Sequence, residues 1–393
     1  MAISASVSRR IESASWIRKM FETGNALKAK HGAERVCDFS LGNPNMEPPE
    51  AFTTTLADIL REETRGKHRY MPNGGYPEVR QRVAEYVSEE QQVELTGEHL
   101  ILTCGAGGGL NVALKTIINP GDTILVSTPF FMEYASYVDN HGGVLQTVSG
   151  LANFEPDLDA LAARITGKTA ALIINSPNNP SGHVYPEETV RDIGKLLKEK
   201  SDRIGRAIYL ISDEPYRKIV YDGTIVPPVF PFYTNSIIVS SYSKDLSIPG
   251  ERIGWLAVHP AADEARELMN GIILCNRILG YVNAPALMQR AIERLQGYSV
   301  NIALYQHKRD LLCSGLSKLG YDFITPQGTF YLFPRAPGGD DMRFVEALQE
   351  ELVLTVPGSG FGSPGYFRIA YCVDDQVIER SMKGFKRAIR KVQ

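Results

Sequence analysis

Residues 236–252 read SIIVSSYSKDLSIPGER, and this stretch decides the fold that we expect. The run 236–241 has an apolar centre between polar ends, which is typical of a short buried strand, and Pro249-Gly250 indicates a turn after it. Lys244 therefore follows a strand end, where α/β proteins carry their chemistry. A lysine placed there is a candidate for Schiff-base formation, although a lone lysine after a strand is usually solvated surface.

The chain from about 48 to 260 alternates helical patterns with short apolar runs. These runs cover 100–103, 123–126, 170–174 and 207–211. Nearly continuous apolar strands separated by helices are typical of a mostly parallel sheet that is covered on both faces. The sequence therefore predicts an α/β fold.

A chain of 393 residues is too long for one simple core, so we predict two domains and a leading arm. The arm covers 1–47, contains one or two helices within 1–36 (Ile11, Trp16, Ile17, Met20 and Phe21 at helical spacing) and associates with the small domain. The large domain covers 48–290 and the small α+β domain covers 291–393. Near and within the latter we predict a long helix over 284–318, strands at 321–324, 329–333, 352–356 and 366–370, and a final helix over 375–391.

Composition favours a small-molecule partner. The 42 Lys and Arg residues against 45 Asp and Glu leave a net charge of −3, so there is no basic field for nucleic acid. No segment approaches the ~18 apolar residues of a membrane span, and the amino-terminal segment lacks the apolar run of a signal peptide. Five widely spaced cysteines without a CxxC pair argue against both a disulfide framework and a metal site. We therefore expect a cytoplasmic protein.

A glycine-rich stretch, CGAGGGL at 104–110, follows the strand at 100–103 and opens a helix. Backbone N–H groups at a helix N-terminus bind phosphate, and glycine lets the anion approach closely. The spacing does not fit a dinucleotide fingerprint, so a single phosphate near Ala106 and Gly107 is the better interpretation. A tight turn without a ligand is the alternative.

Four further motifs bring polar or aromatic groups to strand ends or into a strand. They are PFFMEY at 129–134, NSPNNPSG at 175–182, SDEPY at 212–216 and the strand FRIA at 367–370. Asp213 and Tyr216 place a carboxylate and a phenol three residues apart, while Arg368 places a guanidinium in an apolar strand, where it wants an anionic partner. Each also has a structural interpretation: core packing for the aromatics, a cap for Asp213 and a structural ion pair for Arg368.

Taken in order, these motifs resemble the class I/II aminotransferases, fold type I enzymes that use pyridoxal 5′-phosphate (PLP), and within them the aspartate aminotransferase-like group. The resemblance runs from Gly42 to Arg368. It implies a large PLP-binding domain with a mostly parallel seven-stranded sheet, a smaller α+β domain and a homodimer with shared active sites. The implied reaction moves the amino group of an L-amino acid to a 2-oxo acid by a ping-pong mechanism.

The resemblance also assigns roles to individual residues. Lys244 would hold the cofactor as a Schiff base and move the proton between the substrate Cα and the cofactor C4′. Asp213 would keep the ring nitrogen protonated, Asn179 and Tyr216 would hydrogen-bond the ring O3′, and Phe131 would stack on the ring. The phosphate would be bound by Arg252, Ser241, Ser243, the backbone of Ala106 and Gly107, and Tyr70 of the neighbouring subunit. Arg368 would grip the substrate α-carboxylate together with Asn179, and Gly42 belongs to the loop that closes over it.

Two features separate this chain from the usual family pattern. Ser176 and Ser181 replace the asparagine and threonine that the asparagine loop usually carries, and the glycine stretch at 107–109 is richer than usual. Dicarboxylate-specific relatives place an arginine of the partner subunit before an Asn-x-Pro turn. Ungapped counting puts Ile278 there, with Arg277 one residue away, so aspartate specificity is not expected.

The cofactor site alone leaves the reaction open. A PLP-dependent C–S β-lyase, or another fold type I enzyme, would use the same scaffold. A regulatory domain that binds PLP as an effector is a further alternative, but such proteins usually carry a basic winged helix-turn-helix, for which the segment 1–36 is too short.

Overall fold

The central sheet has seven strands in the order β2-β8-β7-β6-β5-β3-β4 in the computed structural model, which describes residues 2–4, 7–8 and 16–392. The strands are β1 Cys37–Asp38, β2 Leu100–Thr103, β3 Thr123–Thr128, β4 Val144–Ser149, β5 Thr169–Asn175, β6 Tyr209–Asp213, β7 Ser236–Ser241, β8 Gly254–Val258, β9 Tyr331–Leu332, β10 Val353–Leu354, β11 Val356–Pro357 and β12 Phe367–Ala370. Only β8 runs antiparallel to its neighbours β2 and β7 in this sheet. The predicted fold class is confirmed.

Helices cover both faces of this sheet. The helices run over Trp16–His31, Glu50–Arg61, Pro77–Gln91, Gly105–Ile117, Glu133–Asp139, Leu158–Arg164, Glu187–Ile204, Ala265–Ile278, Ala286–Arg294, Ile302–Lys318, Asp341–Glu350 and Asp375–Val392. Within the described residues, no helix has the length and apolar character that crossing a membrane requires.

Side chains alternate between the two faces of the central sheet, so the core of this region consists of two buried clusters, one on each face. Leu172, Leu210 and Ile238 belong to one buried cluster, which also contains the apolar faces of the helices Pro77–Gln91 and Glu187–Ile204. Their chain neighbours Ile173, Ile211 and Ile237 belong to another, with the helices Gly105–Ile117 and Ala265–Ile278. Successive side chains of a strand point to opposite faces, so apolar runs without polar alternation require helices on both sides.

The register of the parallel strands sets the position of the loops that follow them. Asn175 at the end of β5 pairs with Asp213 at the end of β6, and Asp213 pairs with Val239 in β7. The loops after these three strands therefore begin side by side at the carboxyl edge of the sheet, where open α/β sheets bind ligands.

A third buried cluster surrounds two small sheets, which are formed largely by the C-terminal part of the chain. One is antiparallel, in the order β11-β12-β9, and the other pairs β1 with β10 in parallel. Their core contains Phe39, Phe330, Phe344 and Phe385. The domain boundaries near 47 and 290 stay a prediction.

Several predicted elements differ from the structure. The single helix over 284–318 is wrong: two helices, Ala286–Arg294 and Ile302–Lys318, are separated where Gly297 adopts a φ of 86°, and Asn301 caps the second helix through Ala303 N. The predicted strand 321–324 is a loop whose Tyr321 packs into the core and donates to Phe385 O at 3.0 Å.

Other predicted bounds differ less. The strand predicted at 207–211 lies at Tyr209–Asp213, and only Tyr331–Leu332 of 329–333 is a strand. The stretch 352–356 contains β10 and the start of β11 rather than one strand. The predicted leading helix is present as Trp16–His31, while Ile11 lies outside the described residues.

Candidate active site

A cavity of about 310 Å³ opens at the carboxyl edge of the central sheet. It brings together every site residue predicted from the sequence except Tyr70, namely Gly42, Ala106, Gly107, Phe131, Asn179, Asp213, Tyr216, Ser241, Ser243, Lys244, Arg252 and Arg368. Two larger clefts, of about 460 and 570 Å³, lie beside Lys198 and beside His31. Converging polar groups with shifted pKa values, rather than size, make the smaller cavity the candidate site.

Lys244 lies at the base of this cavity on the loop after β7. Its Nζ donates a hydrogen bond to Gly42 O at 3.0 Å. The surrounding protein removes water from the amine and so lowers the pKa of Lys244 to about 8, and the positive charges of Arg252 and Arg368 act in the same direction. A neutral amine, which can accept a proton, is thus accessible near physiological pH.

Asp213 is the last residue of β6, and only one of its two carboxylate oxygens accepts a hydrogen bond from the described residues. Tyr134 donates to Oδ2 at 2.6 Å, whereas Oδ1 is buried without a hydrogen-bond partner among the described residues. Burial raises the pKa of Asp213 to about 7; the hydrogen bond from Tyr134 opposes this shift, and the charge of Glu214 adds to it. An unpartnered buried carboxylate oxygen is costly, so the site is suited to a ligand N–H.

Glu214, the next residue, has a different environment. Its carboxylate accepts hydrogen bonds from Ser212 Oγ at 2.7 Å, Arg217 Nη1 at 2.9 Å and Gln91 Nε2 at 3.2 Å. Glu214 is therefore fully engaged within the protein, which leaves Asp213 as the carboxylate of this pair that lines the cavity.

Arg368 in β12 is 1% exposed and is held by two acceptors. Nη1 donates to Asn179 Oδ1 at 3.1 Å, and Nη2 donates to Ser40 O at 2.6 Å. Its buried Nε has no hydrogen-bond partner in the described structure. Because Asn179 uses its oxygen for Arg368, its amide N–H groups remain to donate into the cavity. Burial lowers the pKa of Arg368, but an arginine remains charged at physiological pH.

An anion-binding end is formed where the helix Gly105–Ile117 begins. The glycines at 105 and 107–109 form the first turns of this helix rather than a separate turn before it. A Cβ added at Gly105 would lie 2.9 Å from Arg252 Nη2, so the guanidinium lies directly against the helix N-terminus. Ser241 and Ser243 line the cavity with Arg252. A cation, two hydroxyls and free backbone N–H groups together suit a phosphate.

The unpredicted residues at the site include four with polar side chains. Tyr137, Tyr331 and Asn175 line the cavity, and Tyr134 contacts Asp213. Tyr134 and Tyr137 are three residues apart, and this spacing could have indicated that the two tyrosines lie on one face of a helix after Phe131. Burial raises the pKa of Tyr137 to about 12, so this phenol remains protonated.

Tyr70 does not reach this cavity in its own chain. Its side chain is 89% exposed. The segment after it is anchored, because Asn276 Nδ2 donates to Asn73 O and Asn283 Nδ2 donates to Pro72 O, both at 2.9 Å. The predicted role of Tyr70 in a neighbouring site stays a prediction.

Residues 34–385 match the family model of aminotransferase class I and II. The chain therefore belongs to this family of PLP-dependent aminotransferases, as the sequence motifs predicted. It is similar to the aspartate aminotransferase of Thermotoga maritima, with 30% identity over 97% of this chain and 98% of the relative. It is also similar to the aspartate/prephenate aminotransferase of Thermus thermophilus, with 29% identity over 98% of each chain.

Solved structures agree with this assignment. An aminotransferase from Eubacterium rectale superimposes with a TM-score of 0.96 and 39% identity over 100% of both chains. The aspartate aminotransferase of Thermus thermophilus with maleate superimposes with a TM-score of 0.85 and 28% identity, over 97% of this chain and 98% of the other.

The residues of the cavity fit the family's cofactor. The unpartnered Oδ1 of Asp213 suits a pyridinium N–H, and Arg252 at the helix N-terminus suits the phosphate. Glycine is required at position 42, because a Cβ there would lie 1.8 Å from Tyr331 OH. The cavity thus has one cationic and one anionic boundary for a flat, charged ring.

The pKa of Asp213 makes a prediction about the cofactor-free protein. Because this pKa is raised from the ordinary value of 3.8 to about 7, the carboxyl group stabilises the fold most at low pH, and that contribution is lost between about pH 4 and pH 7. Asp213→Asn should therefore become more stable relative to wild type by about 2 kcal/mol between pH 5.5 and pH 8. Urea unfolding of both cofactor-free proteins at the two pH values measures this difference.

Asp122→Asn is the matched control. Its carboxylate is paired with Arg206 at 2.5 Å, which lowers the pKa of Asp122, so this substitution should have the same effect at both pH values. A pH-independent effect of Asp213→Asn would show that Asp213 is ionised throughout the range.

Proposed function

We propose that this aminotransferase takes the amino group from an L-amino acid and passes it to a 2-oxo acid by a ping-pong mechanism, with Lys244 as its central catalytic residue. The observation that carries the proposal is the convergence of Lys244, Asp213 and Arg368 on one cavity. These residues supply a proton-accepting amine, a carboxylate for a ring nitrogen and a guanidinium for a substrate carboxylate.

Lys244 is suited to move a proton because its pKa is lowered to about 8. Its neutral amine takes a proton from the substrate Cα, and the resulting ammonium delivers this proton to the cofactor C4′. When bound, PLP supplies an electron-withdrawing ring that stabilises negative charge at that carbon. Asp213 maintains this property by holding a proton on the ring nitrogen, since its buried carboxylate is stabilised by a cationic partner.

Arg368 and Asn179 orient the substrate. The guanidinium presents a planar set of donors to the α-carboxylate, and its existing bonds to Asn179 and Ser40 fix that plane. Asn179 donates through its free amide N–H to the ring O3′, where Tyr216 donates as well. Phe131 is proposed to stack on the ring, and Gly42 is proposed to belong to the loop that closes over the substrate.

We propose that Ile278 makes the substrate side-chain pocket neutral. Relatives named aspartate aminotransferase or aspartate/prephenate aminotransferase share 29–30% identity with this chain. The arginine that dicarboxylate-specific enzymes place before the Asn-x-Pro turn is replaced by Ile278, whose side chain is 58% exposed and available to a partner subunit. An apolar side chain cannot neutralise a second substrate carboxylate.

We also propose a homodimer with shared sites, because large apolar and aromatic side chains are exposed on the surface. Leu274 and Ile278 are one helical turn apart and more than half exposed, and Tyr70 is 89% exposed. An apolar stripe beside an exposed aromatic residue is typical of an interface. The five cysteines are free thiols, which supports the proposed cytoplasmic location.

A panel of L-amino acids with 2-oxoglutarate or pyruvate tests the reaction. We expect one oxo acid per amino group transferred, no release of ammonia, and a higher specificity constant for neutral donors than for aspartate. Ile278→Arg should raise the specificity constant for aspartate relative to neutral donors by roughly tenfold or more, through a charge-assisted hydrogen bond. Ammonia in proportion to turnover would identify an eliminating lyase, and a preference of the unmodified enzyme for aspartate would contradict the neutral pocket.

Complementation tests the shared site. Lys244→Ala should be inactive and Tyr70→Ala impaired, whereas a mixed dimer would contain one site with both residues intact. Random pairing makes about half of the dimers mixed, so co-refolding equal amounts should restore roughly a quarter of wild-type activity. Separately refolded variants set the baseline. Activity no higher than this baseline, with mixed dimers demonstrated by mass spectrometry, would place Tyr70 in its own subunit's chemistry.

A further inference from the structure

Tyr331 is the cavity residue whose contacts suggest a role that the family motifs do not assign. Its side chain is 3% exposed, and its hydroxyl lies 2.9 Å from the hydroxyl of Tyr216. Its ring faces the Arg368 guanidinium, with 4.7 Å between Cζ and the ring centroid. One side chain thus touches both the proposed O3′ donor and the proposed carboxylate-binding residue.

The Tyr331 hydroxyl is held in place from several sides. A Cβ at Gly42 would lie 1.8 Å from this oxygen, so the Gly42 backbone packs against it. The Tyr216 ring meets the Tyr331 ring edge-on, with 5.7 Å between centroids. These contacts hold the two hydroxyls together in the absence of a ligand, so the hydrogen bond between them is preorganised.

Counting protons gives this hydrogen bond a direction. Each hydroxyl has one proton, and in the cofactor-free protein either oxygen can donate. If Tyr216 is to donate to O3′, its only proton is committed there. Tyr331 must then supply the proton between the two hydroxyls, and Tyr216 must accept it.

We propose that Tyr331 is a positioning residue that donates to Tyr216 and thereby strengthens the hydrogen bond from Tyr216 to O3′. This inference rests on the proposed function of Tyr216. A hydroxyl that accepts a hydrogen bond becomes a stronger donor, because bonds in a chain polarise one another. The effect of Tyr331 therefore reaches the cofactor only through Tyr216.

This arrangement has a spectroscopic consequence. With PLP bound as proposed, the imine nitrogen that joins it to Lys244 would share its proton with O3′. When that proton is lost, the O3′ oxygen depends on its remaining donors, so a stronger donor favours the deprotonated imine and lowers its pKa. Weakening the donor chain should raise the pH at which the visible absorption of the holoenzyme changes.

The test is a pH titration of that absorption in Tyr331→Phe, which keeps the ring, its contact with Arg368 and most of its packing. The midpoint should rise by roughly half a pH unit, given the 10–30% strengthening expected per bond in a chain. Tyr216→Phe should raise it further. The double variant should match Tyr216→Phe alone, because removing Tyr216 removes the route by which Tyr331 acts.

Tyr305→Phe is the matched control. Tyr305 packs against Phe330 in the same aromatic cluster, with 5.3 Å between ring centroids, but does not line the cavity. Removing the buried Tyr305 hydroxyl should leave the midpoint of the pH titration unchanged.

The outcomes separate this inference from the proposed function. An unchanged midpoint in Tyr331→Phe while Tyr216→Phe shifts it, or fully additive shifts in the double variant, would overturn the role of Tyr331 alone. An unchanged midpoint in Tyr216→Phe would overturn the O3′ role of Tyr216 as well, and Tyr331 would then serve only to pack the cavity wall.

Discussion

The parallel pairing of β5, β6 and β7 is the constraint on which the rest of the site depends. It aligns Asn175 with Asp213 and Asp213 with Val239, so three loops leave the sheet side by side. Asn175 Nδ2 donates to Asp213 O at 2.8 Å and Asn175 Oδ1 accepts from Asn179 N at 2.7 Å, which joins two of these loops directly. A register shift by one residue would turn Asp213 to the opposite face and bring Glu214 toward the cavity.

Burial at this edge generates the reactivity of the site. Loss of water lowers the pKa of Lys244 and raises that of Asp213, so burial shifts both groups toward their neutral forms when no ligand compensates them. A cationic ring nitrogen would compensate Asp213, and Arg252 would hold an anionic phosphate. The same desolvation that makes the cofactor-free site unfavourable therefore provides affinity for a ligand whose charges are complementary.

Sequence alone predicted the elements whose chemistry is concentrated in short runs. The strand Ser236–Ser241 was placed within its observed bounds because an apolar centre lies between polar ends. Lys244, Asp213 and Arg368 each have a structural alternative, and their motifs are informative because they occur together in the family's order. The helix 284–318 was misread because apolar residues continue at helical spacing across Gly297, whose positive φ interrupts the helix. Backbone conformation of this kind is weakly encoded by periodicity.

Tyr331 was missed for a different reason. It lies in the run Phe330–Phe333, which reads as core, and only the tertiary structure shows that its hydroxyl meets Tyr216. Long-range pairs of this type have no sequence signature within a single chain. Tyr70 is the opposite case, since a motif identifies it while its own chain leaves it on the surface.

The most direct test of the account is borohydride reduction of the holoenzyme followed by peptide mapping. Reduction should fix the cofactor to Lys244, and trypsin should then release residues 219–252 as one labelled peptide, because cleavage after the modified lysine is blocked. Lys244→Ala should retain cofactor before reduction and lose it on denaturation afterwards. A label on any other lysine, or none on a protein that carries PLP, would contradict the assignment of Lys244 and the site built around it.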